Sequence, residues 1–464
     1  MSGKREEIAT KIASSAPRGG LQTGETPVKV RVPMRQIGIG IAGFGTVGAG
    51  VYKHLSGNRR LLCERLGLEL EVRRIALRDA ARQRPVMPPK ELITTRWEDL
   101  IEDPSVQIVV ELMGGIEEPL KLMLAAIAKG KIVVTGNKAL LAEHGKQIFE
   151  AAKRHRVPIF FEAAVAGGIP IIKSIREAFV ASHIKTIHGI INGTSNYILT
   201  RMTQAGLGFK EALAEAQEAG FAEADPTLDV NGWDAAHKAI ILASLAYGFW
   251  LGTCDICVEG IENVSAADIR LAARLGYKIK LLAVIKADEK GRVEVRVHPT
   301  LIPESHVLAS VNGVFNAIAV HGDVVGETLF YGRGAGQDPT ASAVISDLAE
   351  AAVALETPPP HVGFTPHDLY GACKPIAEIV SQHYLRLSVI DKPGVLAQVA
   401  NVLATHQIGI SSVFQPEAHE DETTPLVLML HDATHGQMTA AVGELSRLEC
   451  VKRPPHMIRV ETFQ

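Results

Sequence analysis

The chain has 464 residues, a formal net charge of −3, 47 % hydrophobic residues and 21 % charged ones. That is an ordinary soluble globular balance, long enough for about two to four domains and a large core. No long run of one sign stands out, which argues against a general nucleic-acid or anionic-membrane binder. No stretch approaches the ~20 uninterrupted apolar residues of a membrane span.

Residues 1–33 are polar, carry a turn signal at Arg18-Gly19-Gly20 and lack the apolar core of a secretory leader. They are expected to form a mostly disordered extension, with the bacterial or archaeal cytoplasm as the location. From about residue 36 to 165, short apolar runs alternate with helical patterns, the βαβ rhythm of a parallel sheet. Ile37, Ile39 and Ile41 open the first strand, and Leu68–Leu77, Ile108–Met113, Ile132–Thr135 and Pro158–Glu162 are the next.

Directly after the first strand, Gly43-Phe44-Gly45-Thr46-Val47-Gly48 matches GxGxxG and opens a helix with Val47, Val51 and Leu55 on one face. The strand–loop–helix context is what gives this short pattern its meaning. Gly43 permits the tight turn, Gly45 lets a phosphate approach the backbone, and Gly48 lets helix and strand pack closely. Residues 34–165 are therefore expected to be an NAD(P)-binding Rossmann domain, completed by a returning helix near 339–356. The run Thr357-Pro358-Pro359-Pro360 ends that helix.

The second strand ends in Arg78-Asp79. An arginine there favours a 2′-phosphate and an acid favours a free ribose hydroxyl. Arg78 comes first, which tilts the choice to NADP and leaves NAD open. Gly114-Gly115 and Asn137-Lys138 follow two further strands, at the edge where open α/β sheets bind ligands. Lys138 could anchor a carboxylate, carry a proton, or be a surface lysine.

Residues 166–338 read as an α+β domain, with a strand at Thr186–Ile191, helices at Phe209–Ala219 and Gly232–Ala246, and strands at Ile279–Ala287 and Val293–Pro299. Its most informative stretch, Gly220 to Lys238, is acidic and then enters an apolar helix. Asp234 and Lys238 are four apart, hence on one helical face. Taken alone, such a pair is an exposed one worth about 0.3–0.5 kcal/mol. The helix is otherwise apolar, however, so Glu223, Asp229, Asp234 and Lys238 could together receive a zwitterionic, amino-acid-like substrate, with a desolvated lysine as general acid. The five cysteines are scattered, and Cys254-Asp255-Ile256-Cys257 has CxxC spacing without a second ligand pair. Free thiols in a reducing compartment are the expectation.

From about 380 to 464 the order βαββαβ indicates a ferredoxin-like unit. Leu387–Ala397, with its Asp391-Lys392-Pro393-Gly394 turn, is similar to the opening of an ACT domain, whose free N–H groups at the helix start could hold an amino-acid carboxylate.

The 220–238 segment resembles the homoserine dehydrogenase signature Gly-Phe-Ala-Glu-x-Asp-Pro-x-x-Asp-Val-x-Gly-x-Asp-Ala-x-x-Lys, complete at its polar positions. Gly43–Gly48, Gly136-Asn137-Lys138, Asn192-Gly193-Thr194-Ser195-Asn196 and Gly332-Arg333-Gly334-Ala335-Gly336 are also similar to that family, in the expected order. The resemblance spans roughly residues 36–464. It implies a monofunctional enzyme whose 166–338 segment serves catalysis, substrate binding and dimerisation.

The resemblance implies roles residue by residue. Lys238 would donate a proton to the aldehyde oxygen, Lys138 would be a substrate or relay lysine, and Asp234 would orient the reacting groups. Glu223, helped by Asp229, would bind the substrate ammonium, and Gly193 and Thr194 would shape its pocket. Gly43, Phe44, Gly45, Thr46, Val47, Gly48, Arg78, Gly114, Lys138 and Gly336 would border the cofactor. Glu162 and the carbonyls of Val165, Gly167 and Ile169 would hold a monovalent cation, sodium; the same bend also reads as a plain hinge between domains. The implied reaction passes hydride from NADPH to the C4 aldehyde of L-aspartate 4-semialdehyde, giving L-homoserine for threonine, methionine and isoleucine synthesis. The reverse reaction needs a neutral lysine, so homoserine oxidation should speed up toward alkaline pH.

For the last unit, the resemblance implies feedback by threonine or a related amino acid. A dimerisation module without ligand is the alternative. A homodimer or homotetramer is expected. Two other readings fare worse: a phosphorylating semialdehyde dehydrogenase needs a nucleophilic cysteine in a matching context, and a non-catalytic amino-acid sensor would not need Glu223, Asp234 and Lys238 together.

Overall fold

Six short strands, nearly all apolar, build the first sheet: β1 (Gln36–Ala42), β2 (Glu69–Ala76), β3 (Ile93–Thr94), β4 (Ile108–Glu111), β5 (Ile132–Thr135) and β6 (Ile159–Phe160). All pair in parallel, in the order β3-β2-β1-β4-β5-β6. Ile39, Ile41, Val109, Val110, Val133 and Val134 are fully buried, as strands covered on both faces must be. The computed structural model describes residues 34–79, 84, 86–357, 359, 361–415 and 423–463. The expected extension over 1–33, and Pro358 and Pro360 of the helix-ending run, lie outside these. From Gln36 onward the chain is one compact unit.

The helix Thr46–Gly57 follows β1, and the late helix Gln337–Ala354 packs beside it: Ala341, Val344 and Leu348 share a core with Ala49 and Val51. The strand order reverses between β1 and β4, so a crevice opens there at the strands' carboxyl ends. The strand expected at Pro158–Glu162 is shorter than the sequence suggests. It stops at Phe160 because Glu162–Ala164 turns into a single 3₁₀ turn.

The second sheet has eleven strands: β7 (Ile184–Ile190), β8 (Cys257–Val258), β9 (Tyr277–Ala287), β10 (Arg292–Pro303), β11 (Phe315–Gly322), β12 (Gly326–Arg333), β13 (Ala372–Cys373), β14 (Val380–Val389), β15 (Ile410–Phe414), β16 (Thr424–Thr434) and β17 (Val451–Val460). Its main path runs β12-β11-β7-β9-β10-β17-β14-β16-β15, with β8 and β13 on the β10 edge. Ile279, Leu281 and Ile285 of β9 and Val293, Val295 and Val297 of β10 share a core with Ala236, Ile240 and Ala243 of the helix Trp233–Tyr247. That helix is thereby fixed across the sheet.

In the last segment the helices Val395–Thr405 and His435–Leu445 connect four antiparallel strands in the order β17-β14-β16-β15, a ferredoxin-like arrangement. Its sheet is also continuous with the middle segment, because β17 pairs with β10 at Thr300–Arg459 and Leu301–Val460. Among the described residues, no helix is long and apolar enough to cross a membrane.

Candidate active site

The helix Trp233–Tyr247 begins after Gly232, which adopts a left-handed φ of 88°. Its first two turns place Asp234 and Lys238 over the end of β7. The Lys238 Nζ donates to Asp234 Oδ2 at 2.6 Å and to the Ile191 carbonyl at 2.8 Å. The Lys238 side chain is only 10 % exposed, so the reading of an ordinary solvated pair does not hold. Lys138 approaches from the first domain and meets Asp234 Oδ1 at 3.1 Å. One carboxylate thus joins two lysines that are far apart in sequence. Burial would raise the Asp234 pKa, but Lys238 and Lys138, with the Asn192 amide, hold it well below the ordinary carboxylate value.

Asn192 organises the acidic side of the cluster. Its Nδ2 donates to Asp229 Oδ1 at 2.7 Å and to Asp234 Oδ2 at 2.8 Å, while its Oδ1 accepts from Ser195 N and caps the helix Gly193–Ala205. The sequence reading assigned Asn192 no role. The signal was present in the N-cap pattern of an Asn before Gly-Thr-Ser. Burial raises the Asp229 pKa, against the Asn192 hydrogen bond.

Gly193 lies so close to the β11 approach that an added Cβ would stand 2.8 Å from the Val314 carbonyl oxygen. Thr194 Oγ1 donates to the Phe221 carbonyl at 2.8 Å, tying this helix start to the acidic loop. Glu223 is not brought into the cluster. It stands exposed on that loop, and its recorded contact is a backbone one, the carbonyl accepting from Gln217.

Lys138 opens the helix Lys138–His155, capped by Asn137 through Leu140 N at 3.2 Å. That helix is pressed against the end of the helix Trp233–Tyr247. Trp250 Nε1 donates to the Leu141 carbonyl at 3.2 Å, and a Cβ on Gly145 would fall 2.1 Å from the Trp250 ring. This contact between the two segments is what sets Lys138 against Asp234.

The dinucleotide loop has the expected form. At Gly43 (φ 95°) a Cβ would lie 2.3 Å from the Leu112 carbonyl oxygen, and at Gly48 it would lie 2.2 Å from the Gly43 carbonyl oxygen. Gly45 faces open space, with nothing within 4 Å of an added Cβ, at the N-terminus of the helix Thr46–Gly57. The residues fit a pyrophosphate there. Phe44 is buried and meets Tyr52 edge-on, with ring centroids 5.9 Å apart. Gly336 precedes the returning helix, whose Gln337 donates to the Thr46 carbonyl at 3.0 Å. Gly114 (φ 70°) follows β4, and Arg78 is exposed at the end of β2. Arg84 was not foreseen, since it lies beyond the strand in a stretch without periodicity. Its guanidinium donates to the carbonyls of Phe44 at 3.0 Å and Asp79 at 2.9 Å.

The carboxylate of Glu162 is buried and accepts from the amides of Ile172 and Lys173, each at 2.9 Å. Burial raises its pKa, against those two amides. The backbone then bends at Ala166 (φ 50°), and the Ile169 carbonyl accepts from Ile171 N at 2.8 Å. A cation held by Glu162 with the carbonyls of Val165, Gly167 and Ile169 would have to share oxygens already in use, so the fit is partial. Cys254 and Cys257 line a cavity of about 330 Å³ together with Cys373, and all are free thiols. Among the described residues, no group of three His, Cys, Asp or Glu side chains is placed to hold a metal ion.

Two family models match the chain, one described as homoserine dehydrogenase over residues 170–349 and one as the homoserine dehydrogenase NAD-binding domain over 43–162. The homoserine dehydrogenase of Pseudomonas aeruginosa is 46 % identical, covering 92 % of this chain and 99 % of its own. That of Neisseria gonorrhoeae is 43 % identical, covering 93 % and 100 %. A homoserine dehydrogenase structure from Thiobacillus denitrificans superposes with a TM-score of 0.86 at 41 % identity, covering 92 % of this chain and 99 % of that one. A hyperthermophilic archaeal homoserine dehydrogenase solved in complex with NADPH gives 0.60 at 28 % identity, covering 70 % and 99 %.

Proposed function

The chain belongs to the homoserine dehydrogenase family of NAD(P)-dependent oxidoreductases, and on that premise we propose that it reduces L-aspartate 4-semialdehyde to L-homoserine with NADPH, at the Lys138–Asp234–Lys238 cluster. The observation that carries this reading is the single buried carboxylate bridging two lysines at the mouth of the dinucleotide crevice. The bound nicotinamide supplies the hydride. Lys238, held by Asp234 and the Ile191 carbonyl, gives the proton that neutralises the developing alkoxide. Asp234 fixes both lysines in one geometry, and Lys138 relays a proton or contacts the substrate. Glu223 and Asp229 receive the substrate ammonium, which requires the acidic loop to bring Glu223 inward. Gly193 and Thr194 form the pocket wall.

Support for NADPH comes from Arg78 at the end of β2 and from the NADPH complex of the archaeal relative. A monovalent cation, sodium, at Glu162, Val165, Gly167 and Ile169 would brace the bend between the two segments. The last unit is read as an ACT regulatory domain that binds threonine or a related amino acid. The enzyme is read as a cytoplasmic homo-oligomer.

The test is NADPH consumption with aspartate semialdehyde, repeated with NADH and with threonine. Absorbance loss that requires the semialdehyde is expected; none with either cofactor overturns the substrate assignment. Inhibition by threonine supports the effector reading, and unchanged rates in intact protein leave the unit as an assembly module.

A further inference from the structure

Glu111 is the last residue of β4 and stands directly opposite Thr135, the last residue of β5. Its side chain is fully buried, at the end of a strand otherwise made of isoleucine and valine. Isolated burial of a carboxylate is costly, and here burial pushes the pKa up against every hydrogen bond the group receives. A valine would fill this space without that cost. The acid is therefore costly to the fold.

It holds the two turns that face the crevice. Oε2 accepts from Thr135 Oγ1 at 2.7 Å and Oε1 from Met113 N at 2.8 Å. The first turn contains Gly114 and Gly115 at φ 70° and 79°, two successive left-handed residues that only glycine adopts readily. The second turn is tied to the first through Asn137. Its Nδ2 donates to the Gly115 carbonyl at 2.8 Å, its amide to Thr135 Oγ1 at 3.0 Å, and its Oδ1 caps the helix that Lys138 opens.

We infer that Glu111 is a positioning residue for hydride transfer, fixing the spacing between the Met113–Gly115 turn that borders the nicotinamide and the turn that delivers Lys138 to Asp234. The inference rests on the function proposed above. Its physical basis is that each carboxylate oxygen accepts from a different turn, Oε1 from Met113 N and Oε2 from Thr135 Oγ1, a pair of ties that needs two acceptor oxygens. A glutamine keeps one acceptor oxygen, so its NH₂ must face either the Met113 amide, which cannot accept, or the Thr135 hydroxyl, which already accepts from Asn137 N, and the spacing of the two turns shifts. A displacement of about 1 Å at such a site costs about 10²-fold in rate.

The experiment compares wild type with Glu111→Gln and Thr135→Val in kcat, both KM values and thermal melting. Wild type must first oxidise NADPH with aspartate semialdehyde; if it does not, the proposed function fails and Glu111 is not at issue. Given that activity, Glu111→Gln should lose at least about tenfold in kcat, keep KM for the semialdehyde within about twofold, and melt no lower than wild type. Thr135→Val keeps the acid and removes one donor, and should lower kcat in the same sense with KM unchanged; it decides the matter if Glu111→Gln does not fold. The inference is overturned by a Glu111→Gln kcat within twofold of wild type. It is equally overturned if kcat and melting temperature fall in parallel, the mark of a merely structural residue.

Discussion

Lys238 Nζ donates to the Ile191 carbonyl and to Asp234, and its replacement removes that donor while Lys138 still pairs Asp234. Lys238→Ala is expected to lower kcat by about 10²–10⁴, with NADPH still quenching intrinsic fluorescence at wild-type concentrations. Wild-type kcat in that variant would end its assignment as proton donor. Asp234→Asn acts differently, because it leaves Lys138 and Lys238 facing one neutral amide. Breaking a buried pair by removing one partner costs about 3–5 kcal/mol, so this variant should lose stability as well as rate, read as a lower urea midpoint alongside kcat. Arg78 stands exposed at the end of β2, and Arg84 donates to the Phe44 and Asp79 carbonyls. If the exposed Arg78 reads a 2′-phosphate, Arg78→Ala should raise KM for NADPH about tenfold and leave NADH unchanged, whereas equal effects on both would assign the 2′-phosphate elsewhere. At this scale the sequence disclosed Asp234 and Lys238 because helical spacing puts them on one face. Helical spacing did not disclose that Lys138 joins them, which the family resemblance alone implied, since that contact depends on how Trp250 seats against Leu141 and Gly145. The inward position expected of Glu223 has no counterpart in its exposed side chain, because an acidic loop beside solvent gains nothing by burying a charge without its ligand.

Elements with strong apolar runs were legible to within a few residues: β5 has the expected bounds, and the helices at 209 and 233 start within one residue of expectation. The hairpin β11–β12 was not expected, because Gly322, Gly326 and Gly332 interrupt its apolar pattern. The helix Ala266–Arg274 was also missed, although Ser265 and Asp268 form a capping box on it. That helix carries a consequence. Asp268 is fully buried and receives Arg386 Nε at 2.6 Å and Tyr384 Oη at 3.2 Å from β14. Burial raises its pKa, but Arg386, His456 and Ser265 outweigh this and set it below the ordinary value. The folded state therefore binds this proton less tightly than the unfolded chain does. Its stabilisation is complete above the ordinary aspartate value and is lost as pH falls through the lowered one. Asp268→Asn should weaken docking of β14, increase proteolysis between residues 355 and 380, and flatten the acid limb of the melting curve relative to wild type. An acid limb unchanged from wild type would remove Asp268 from this role.

The modular order of the whole molecule was legible from three changes of sequence texture, but the seam between the last two parts was not. Its strand pairing is two residue pairs between β10 and β17, Thr300–Arg459 and Leu301–Val460, and no local pattern announces a pairing of that range. Beyond β17, Glu461 reaches back to Lys286 of β9 and, at 3.4 Å, to His188 of β7. Burial would raise its pKa, yet His188 and Lys286 hold it at about 2, so this tie too is lost only as pH falls from the ordinary glutamate range toward that value. The C-terminal unit therefore supplies counter-charges to Asp268, Lys286 and Arg296, all carried by the middle segment. Deleting residues 380–464 would take Arg386 from Asp268 and Glu461 from Lys286 and Arg296, of which Arg296 keeps Glu294, and would uncover the β10 edge at Thr300 and Leu301, an exposed strand edge being a template for aggregation. The truncated chain is expected to accumulate as insoluble protein, measured as soluble yield against full length, rather than as a soluble enzyme freed from regulation. A soluble, two-segment product with full-length kcat would mean that the continuous sheet is a convenience of packing. In that case any ligand of the last unit would have no rigid connection to Lys238, whereas the continuous sheet supplies one through β17, β10 and the core they share with the helix Trp233–Tyr247.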